Sequence, residues 1–222
     1  MIKYIVNHLV KIISHMILKI DSRELDKIPP KGPLLGTANH INFLDVPVIL
    51  SHLYPRPMTV LAKKETWDNP IIGFLFNIWD GIPIDREIAD FSAFRKSKQV
   101  LKEGKILAFS PEGTRTGIKG LIQAKPGVAM LAIQCNVPIQ PVAYYGHEHF
   151  WAEIKRLKRA KMTFRVGQRF RINLNGQLKN KEMLQHIADA IMLEIAKLMP
   201  EEYHGFYANK TSPGSQFIEY LE

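Results

Sequence analysis

Cysteine is almost missing from this 222-residue chain. Cys135 stands alone, so no internal disulfide can form and no cysteine-rich zinc site is available. That usage fits a reducing compartment. Acidic residues are also scarce beside basic ones, 21 Asp+Glu against 30 Lys+Arg, which leaves a formal net charge of +9. Such an excess asks for an anionic partner: nucleic acid, a membrane surface or a phosphorylated substrate. Long unbroken apolar runs are lacking too. The most apolar segment, residues 1–20, is divided by Lys3, Lys11 and Lys19. A signal peptide needs an uninterrupted apolar centre, and a spanning helix would carry Lys11 at mid-bilayer at about 2.5–3.5 kcal/mol, so the segment is expected to be neither. There is no internal repeat and no low-complexity tract. What remains is 46% hydrophobic and 23% charged, the composition of a folded globule, and the length suits one domain.

Helical spacing accounts for residues 1–20. Lys3, Asn7, His8, Lys11, Ser14, His15 and Lys19 fall within one arc of about 160°. Ile5, Val6, Leu9, Ile12, Ile13, Met16, Ile17 and Ile20 occupy the other side. Two readings stay open: a helix packed on its own domain, or one lying in the membrane interface with its lysines toward anionic headgroups. Both hold if one end packs and the other dips.

Beyond it, short apolar runs at 34–38, 58–62, 105–109, 139–143, 162–166 and 170–174 read as strands. Residues 45–54, 70–79, 91–103, 126–134 and 181–199 read as helices, the last ended by Pro200. Alternation of this kind indicates an α/β fold: a single domain with a mixed, largely buried sheet flanked by helices, preceded by the N-terminal amphipathic helix. The expected division is 1–20 for that helix, 21–204 for the domain and 205–222 for a loosely ordered tail.

Four stretches carry chemistry. The first runs Asn39-His40-Ile41-Asn42-Phe43-Leu44-Asp45, between a buried strand and a helix. In one continuous helix His40 and Asp45 would stand about 140° apart. They meet only if the chain turns, with His40 in the loop and Asp45 at the helix start. There the carboxylate can fix the imidazole tautomer and leave the other nitrogen as a base. The alternative is a helix-capping Asp beside an incidental His. The second stretch, Ser110-Pro111-Glu112-Gly113-Thr114-Arg115, sets glycine, hydroxyls and a guanidinium in one turn, where Gly113 permits close approach and Arg115 suits a phosphate. Glu112 would hold that arginine or meet an acceptor hydroxyl. The third, Gly81-Ile82-Pro83-Ile84-Asp85-Arg86, ends in a second arginine. For either arginine the alternative is a surface ion pair with Asp85, Glu87 or Glu112. The fourth, Val137-Pro138-Ile139-Gln140-Pro141-Val142, reads as structural.

Taken together and in this order, the four stretches resemble the lysophospholipid acyltransferase family, the glycerolipid enzymes of the 1-acylglycerol-3-phosphate acyltransferase type. The likeness covers about residues 32–146 and extends weakly to Met199-Pro200-Glu201-Glu202-Tyr203. It implies that residues 21–204 form an acyltransferase domain. His40 is then the general base and Asp45 orients it. Asn39, Arg86, Glu112, Gly113, Thr114 and Arg115 would form the substrate site, with Lys63 and Lys64 adding positive potential. Backbone donors near Glu112-Gly113 would face the oxyanion. The acceptor implied is a lysophospholipid, lysophosphatidic acid first, with another lysolipid or an aminoacyl lipid as alternatives. The donor implied is an acyl thioester, acyl-CoA or acyl carrier protein, with no metal and no cofactor. A catalytically silent lipid-binding protein is the reading from a different class. Many family members carry spanning helices where this chain has an amphipathic start, and Trp67 and Asp68 stand where apolar residues are usual.

The remaining clusters are weighed against this. His147-Glu148-His149 has two imidazoles at strand spacing but no third ligand, so no metal site is expected. Lys155, Arg156, Lys158, Arg159, Lys161, Arg165, Arg169 and Arg171 lack the interleaved aromatics of a nucleic-acid platform. A face resting on anionic membrane lipids fits better, an ordinary solvated face being the alternative. The expectation is a peripheral membrane protein on the cytoplasmic face, with no nucleic-acid partner.

Overall fold

Strand β2 (Leu34–Ala38) lies at the centre of the sheet, and its apolar run explains why: Leu34 faces one core and Leu35 the other, each 1% exposed or less. The computed structural model of the chain describes residues 1–86 and 90–222. Within them β2 is joined by β1 (Leu18–Asp21), β3 (Met58–Lys63), β4 (Ile82–Ile84), β5 (Ile106–Phe109), β6 (Ile139–Tyr145), β7 (Ala160–Val166), β8 (Phe170–Ile172) and β9 (Ile218–Tyr220). The order is β1-β7-β6-β2-β5-β3-β4, with β8 and then β9 added beside β6. Neighbours from β6 through β4 run parallel, whereas β6 pairs antiparallel with β7 and β8. The sheet is therefore mixed, as the strand and helix alternation implies.

Helices cover both faces. Leu35, Leu107, Ile139 and Ala143 pack with α4 (Phe91–Lys102), α5 (Gly127–Cys135) and α7 (Lys181–Ala196). Leu34, Val60, Val142 and Phe164 pack with α2 (Asp45–Leu53) and α3 (Pro70–Ile78), bordered by α1 (Ile2–Ile17) and α6 (Phe150–Lys155). Side-chain caps set several helix starts: Asn69 for α3, Asp90 for α4 and Asn180 for α7.

Two boundaries differ from the sequence reading. The first helix stops at Ile17, and Leu18–Asp21 leaves as β1 to pair with β7, Leu18 opposite Ala160. The tail expected to be loose is packed. Tyr207 and Phe217 are buried, the Tyr207 hydroxyl donates to Asp189 at 2.7 Å, and β9 pairs with β8. Gly214 lies so close to α7 that a Cβ there would sit 2.1 Å from the His186 carbonyl oxygen. The tail's few apolar residues are spaced to dock singly, which no periodicity reveals.

Helix α1 is packed along its length by its polar border. Asn7 and Ser14 are its two buried residues, Val6, Val10 and Ile17 lean on the core, and Lys3 pairs with Asp80 at 2.8 Å. Ile2, Ile5, Leu9, Ile12, Ile13 and Met16 remain exposed. The helix packs on its own domain through that border, and the apolar ridge is left outside. No helix among the described residues is long and apolar enough to cross a membrane.

Candidate active site

Strands β2, β3, β4, β5 and β6 are parallel, so the loops after them emerge at one edge of the sheet. Those loops carry His40, Lys63 with Lys64, Arg86, Glu112 to Arg115 and His147. Distant parts of the sequence thus converge because of strand direction alone.

The turn required between His40 and Asp45 is present. His40 Nδ1–H donates to Asp45 Oδ2 at 2.7 Å, and the amides of Ile41 and Asn42 donate to the same oxygen at 2.6 and 2.9 Å. The Asp45 carboxylate is wholly buried, while the His40 side chain keeps 14% exposure. Burial pushes Asp45 toward protonation, but the hydrogen bonds from His147 and His40 outweigh it and hold the carboxyl below its ordinary range. His40 Nε2 has no hydrogen-bond partner among the described residues. The arrangement is that of an imidazole with one nitrogen fixed and the other available as a base.

Asn39 and Glu112 direct their polar ends at backbone groups. Asn39 is 1% exposed, and its amide exchanges two hydrogen bonds with the Tyr144 backbone at 2.8 and 3.0 Å. It extends the β2–β6 ladder by one side-chain rung and so aims His40. Glu112 holds neither arginine: its oxygens accept the amides of His40 at 2.7 Å and Ile122 at 3.0 Å. Burial raises its carboxyl to about 7 against those amides, helped by the Asp45 charge. Thr116 completes the tie, its amide donating to the His40 carbonyl at 2.8 Å.

Three cations of the site stay apart from carboxylates among the described residues. Arg86 donates to the carbonyl of Gly113, and burial together with the neighbouring Arg115 charge lowers its guanidinium from the ordinary value, only partly countered by Glu65. Arg115 and Thr114 are exposed. Gly113 has φ +66°, and the Lys125 stem passes 3.0 Å from where its Cβ would be, so glycine admits a third cation there. Among the described residues no carboxylate makes an ion pair with Arg86, Arg115 or Lys125; Glu87 lies outside the described residues. Lys63 and Lys64 instead pair with Glu65 at 3.5 Å and Asp85 at 2.6 Å, which reduces the positive potential expected of them. The Gly113 amide is taken by the Ser110 carbonyl at 3.1 Å.

Two contributors were not singled out from the sequence for this role. Lys125 carries no spacing signal. His147 was weighed as a metal ligand, but its Nε2 donates to Asp45 Oδ1 at 2.5 Å, and both side chains are fully buried. Glu148 beside it accepts from the Gly146 amide and the Tyr203 hydroxyl. The position of His147 directly after β6, at the same sheet edge as His40, was the available clue.

The acyltransferase family model matches residues 19–145, more than half of the chain and all the loops just described save the one carrying His147. The chain belongs to the acyltransferase family. Among the relatives of this acyltransferase, the 1-acyl-sn-glycerol-3-phosphate acyltransferase of Bacillus subtilis is 27% identical over 173 residues, covering 78% of this chain and 84% of that protein. The protein of the same name from Streptococcus pneumoniae is 29% identical over 197 residues, covering 87% and 71%. A longer Mycoplasma genitalium relative is 35% identical over 142 residues, and the match spans 52% of it. The solved 1-acyl-sn-glycerophosphate (LPA) acyltransferase PlsC from Thermotoga maritima shares the fold, with TM-score 0.65, 20% identity and coverage of 87% and 76%.

Proposed function

We propose that this acyltransferase moves a fatty acyl group from a thioester donor to the free hydroxyl of a lysophospholipid, converting lysophosphatidic acid to phosphatidic acid. The 2.7 Å bond from His40 Nδ1 to Asp45 Oδ2 carries the reading, because it leaves Nε2 as a fixed base. His40 takes the hydroxyl proton as the oxygen attacks the thioester carbonyl carbon. Asp45 stabilises the imidazolium, and backbone donors of the turn near Glu112-Gly113 meet the oxyanion. The tetrahedral intermediate collapses, the C–S bond breaks, and the imidazolium proton goes to the leaving thiolate. No metal or cofactor is required. Arg86, Arg115 and Lys125 hold the acceptor phosphate, which explains three cations around one glycine without a carboxylate partner. The donor is acyl-CoA or acyl carrier protein.

The protein works as a peripheral membrane enzyme on the cytoplasmic face, docked on anionic lipids. The exposed ridge of α1 supports this, as does the turn after α6. From α6 through that turn into β7, Trp151 and Leu157 are 64% and 97% exposed among the exposed cations Lys155, Arg156, Lys158, Arg159 and Lys161. Arg159 donates to the His15 carbonyl at 3.0 Å, joining that turn to the end of α1. The rest of the basic cluster is spent differently, Arg165 on Asp21 at 3.3 Å and Arg169 on the Glu222 carbonyl.

The test is a matrix of labelled acyl-CoA and acyl carrier protein donors against lysophosphatidic acid, other lysolipids and aminoacyl lipids, with diacyl product as readout. Product with lysophosphatidic acid is expected. Product only with another acceptor would correct the head group, and none with any pair would leave a lipid-binding protein.

A further inference from the structure

His147 is a buried titratable side chain that no step above uses. It follows β6 and reaches the carboxylate oxygen that His40 leaves alone. Its Nε2 lies 2.5 Å from Asp45 Oδ1, while its Nδ1 is buried with no hydrogen-bond partner among the described residues. One proton placement satisfies both observations. Nε2 carries the hydrogen and Nδ1 keeps a lone pair, since an N–H at Nδ1 would be a buried donor without an acceptor. Asp45 Oδ2 accepts from His40, Ile41 and Asn42, and Oδ1 accepts from His147. Among the described residues, His147 is thus the group that fixes the far side of the carboxylate. Asn42 Nδ2 donates to the His147 carbonyl at 3.0 Å, so the His40 loop also locates the His147 backbone.

We propose that His147 is a positioning residue for the acyl transfer, acting through Asp45. It holds the carboxylate in the rotation that faces His40 and shares its negative charge. His147 itself keeps the single Nε2–H form throughout the reaction. The inference rests on the general-base reading of His40.

Two measurements test it. In the wild-type protein labelled with ¹⁵N-histidine, His147 should show the Nε2–H tautomer. An Nδ1–H form overturns the proposal. The second compares His147→Phe, which removes the donor, with His147→Gln, whose amide nitrogen can take its place. The Phe variant should lose roughly tenfold or more in kcat, keep KM for both substrates within about twofold, and move the acid limb of the pH–rate profile up by about 0.5 pH unit. The Gln variant should lie closer to wild type in both. A folded Phe variant with wild-type kcat overturns the proposal. So does one whose kcat falls with the limb unmoved, because that is a structural loss only. If the Phe variant does not fold, the Gln profile and the wild-type spectrum decide. Failure of the functional reading looks different: no turnover by wild type, with the His147 tautomer unchanged.

Discussion

Helices α1 and α7 are each 16 residues long and are held in opposite ways. Helix α7 buries Ile187, Ala188, Ala190, Ile191, Met192, Ile195 and Ala196, the ordinary outcome of the hydrophobic effect. Helix α1 buries Asn7 and Ser14 and leaves seven large apolar side chains outside, Tyr4 among them. It is fastened by polar contacts: Lys3 to Asp80, Asn7 Oδ1 accepting from Trp79 Nε1 at 3.1 Å, and His52 Nε2 against His15 Nε2 at 3.2 Å. One helix is solved for water alone. Under the proposed docking, the uncovered ridge of α1 is the face that meets an apolar phase.

Substitutions should separate the two. Ile191→Ala removes a fully buried side chain of α7 and should cost about 2–5 kcal/mol in denaturant unfolding. Gly214→Ala drives a methyl against the α7 backbone and should cost about 1–3 kcal/mol, read the same way. In α1, Asn7→Ala strands the buried Trp79 indole N–H, at about 1–3 kcal/mol, and Trp79 fluorescence should report a locally loosened helix. Acid should act on α1 alone. Burial holds His52 down at about 4 from an ordinary 6.5, so the unfolded chain binds more protons in that window. The His52 contribution is present above about 6.5 and is lost as pH falls toward 4. Amide exchange in α1 should accelerate over that range while α7 stays protected. Leu9→Asp with Ile12→Asp should leave stability within about 0.5 kcal/mol. That pair should abolish sedimentation with anionic vesicles, and vesicle binding by the double variant equal to wild type would remove the apolar-phase explanation.

The same contrast shows what the sequence can reveal. Strand and helix alternation identified the mixed α/β sheet, because each element buries a face with its own period. The His40–Asp45 turn was legible because two residue types at that spacing can meet in only one way. Which face of α1 packs was not legible: amphipathicity gives two faces and does not say which one the protein covers. Asn39 and Glu112 are placed with the substrate by the resemblance, and their hydrogen bonds to backbone groups come from contacts made only by tertiary folding. His147 stands 102 residues from Asp45, and no local pattern encodes a contact made across parallel strands.

Acyl transfer by wild-type protein and by His40→Ala, from labelled acyl-CoA or acyl carrier protein to lysophosphatidic acid, tests the central claim most directly. Wild type should form phosphatidic acid, and a folded His40→Ala protein should lose about 10²-fold or more of that rate. A folded His40→Ala protein turning over at the wild-type rate would contradict the account.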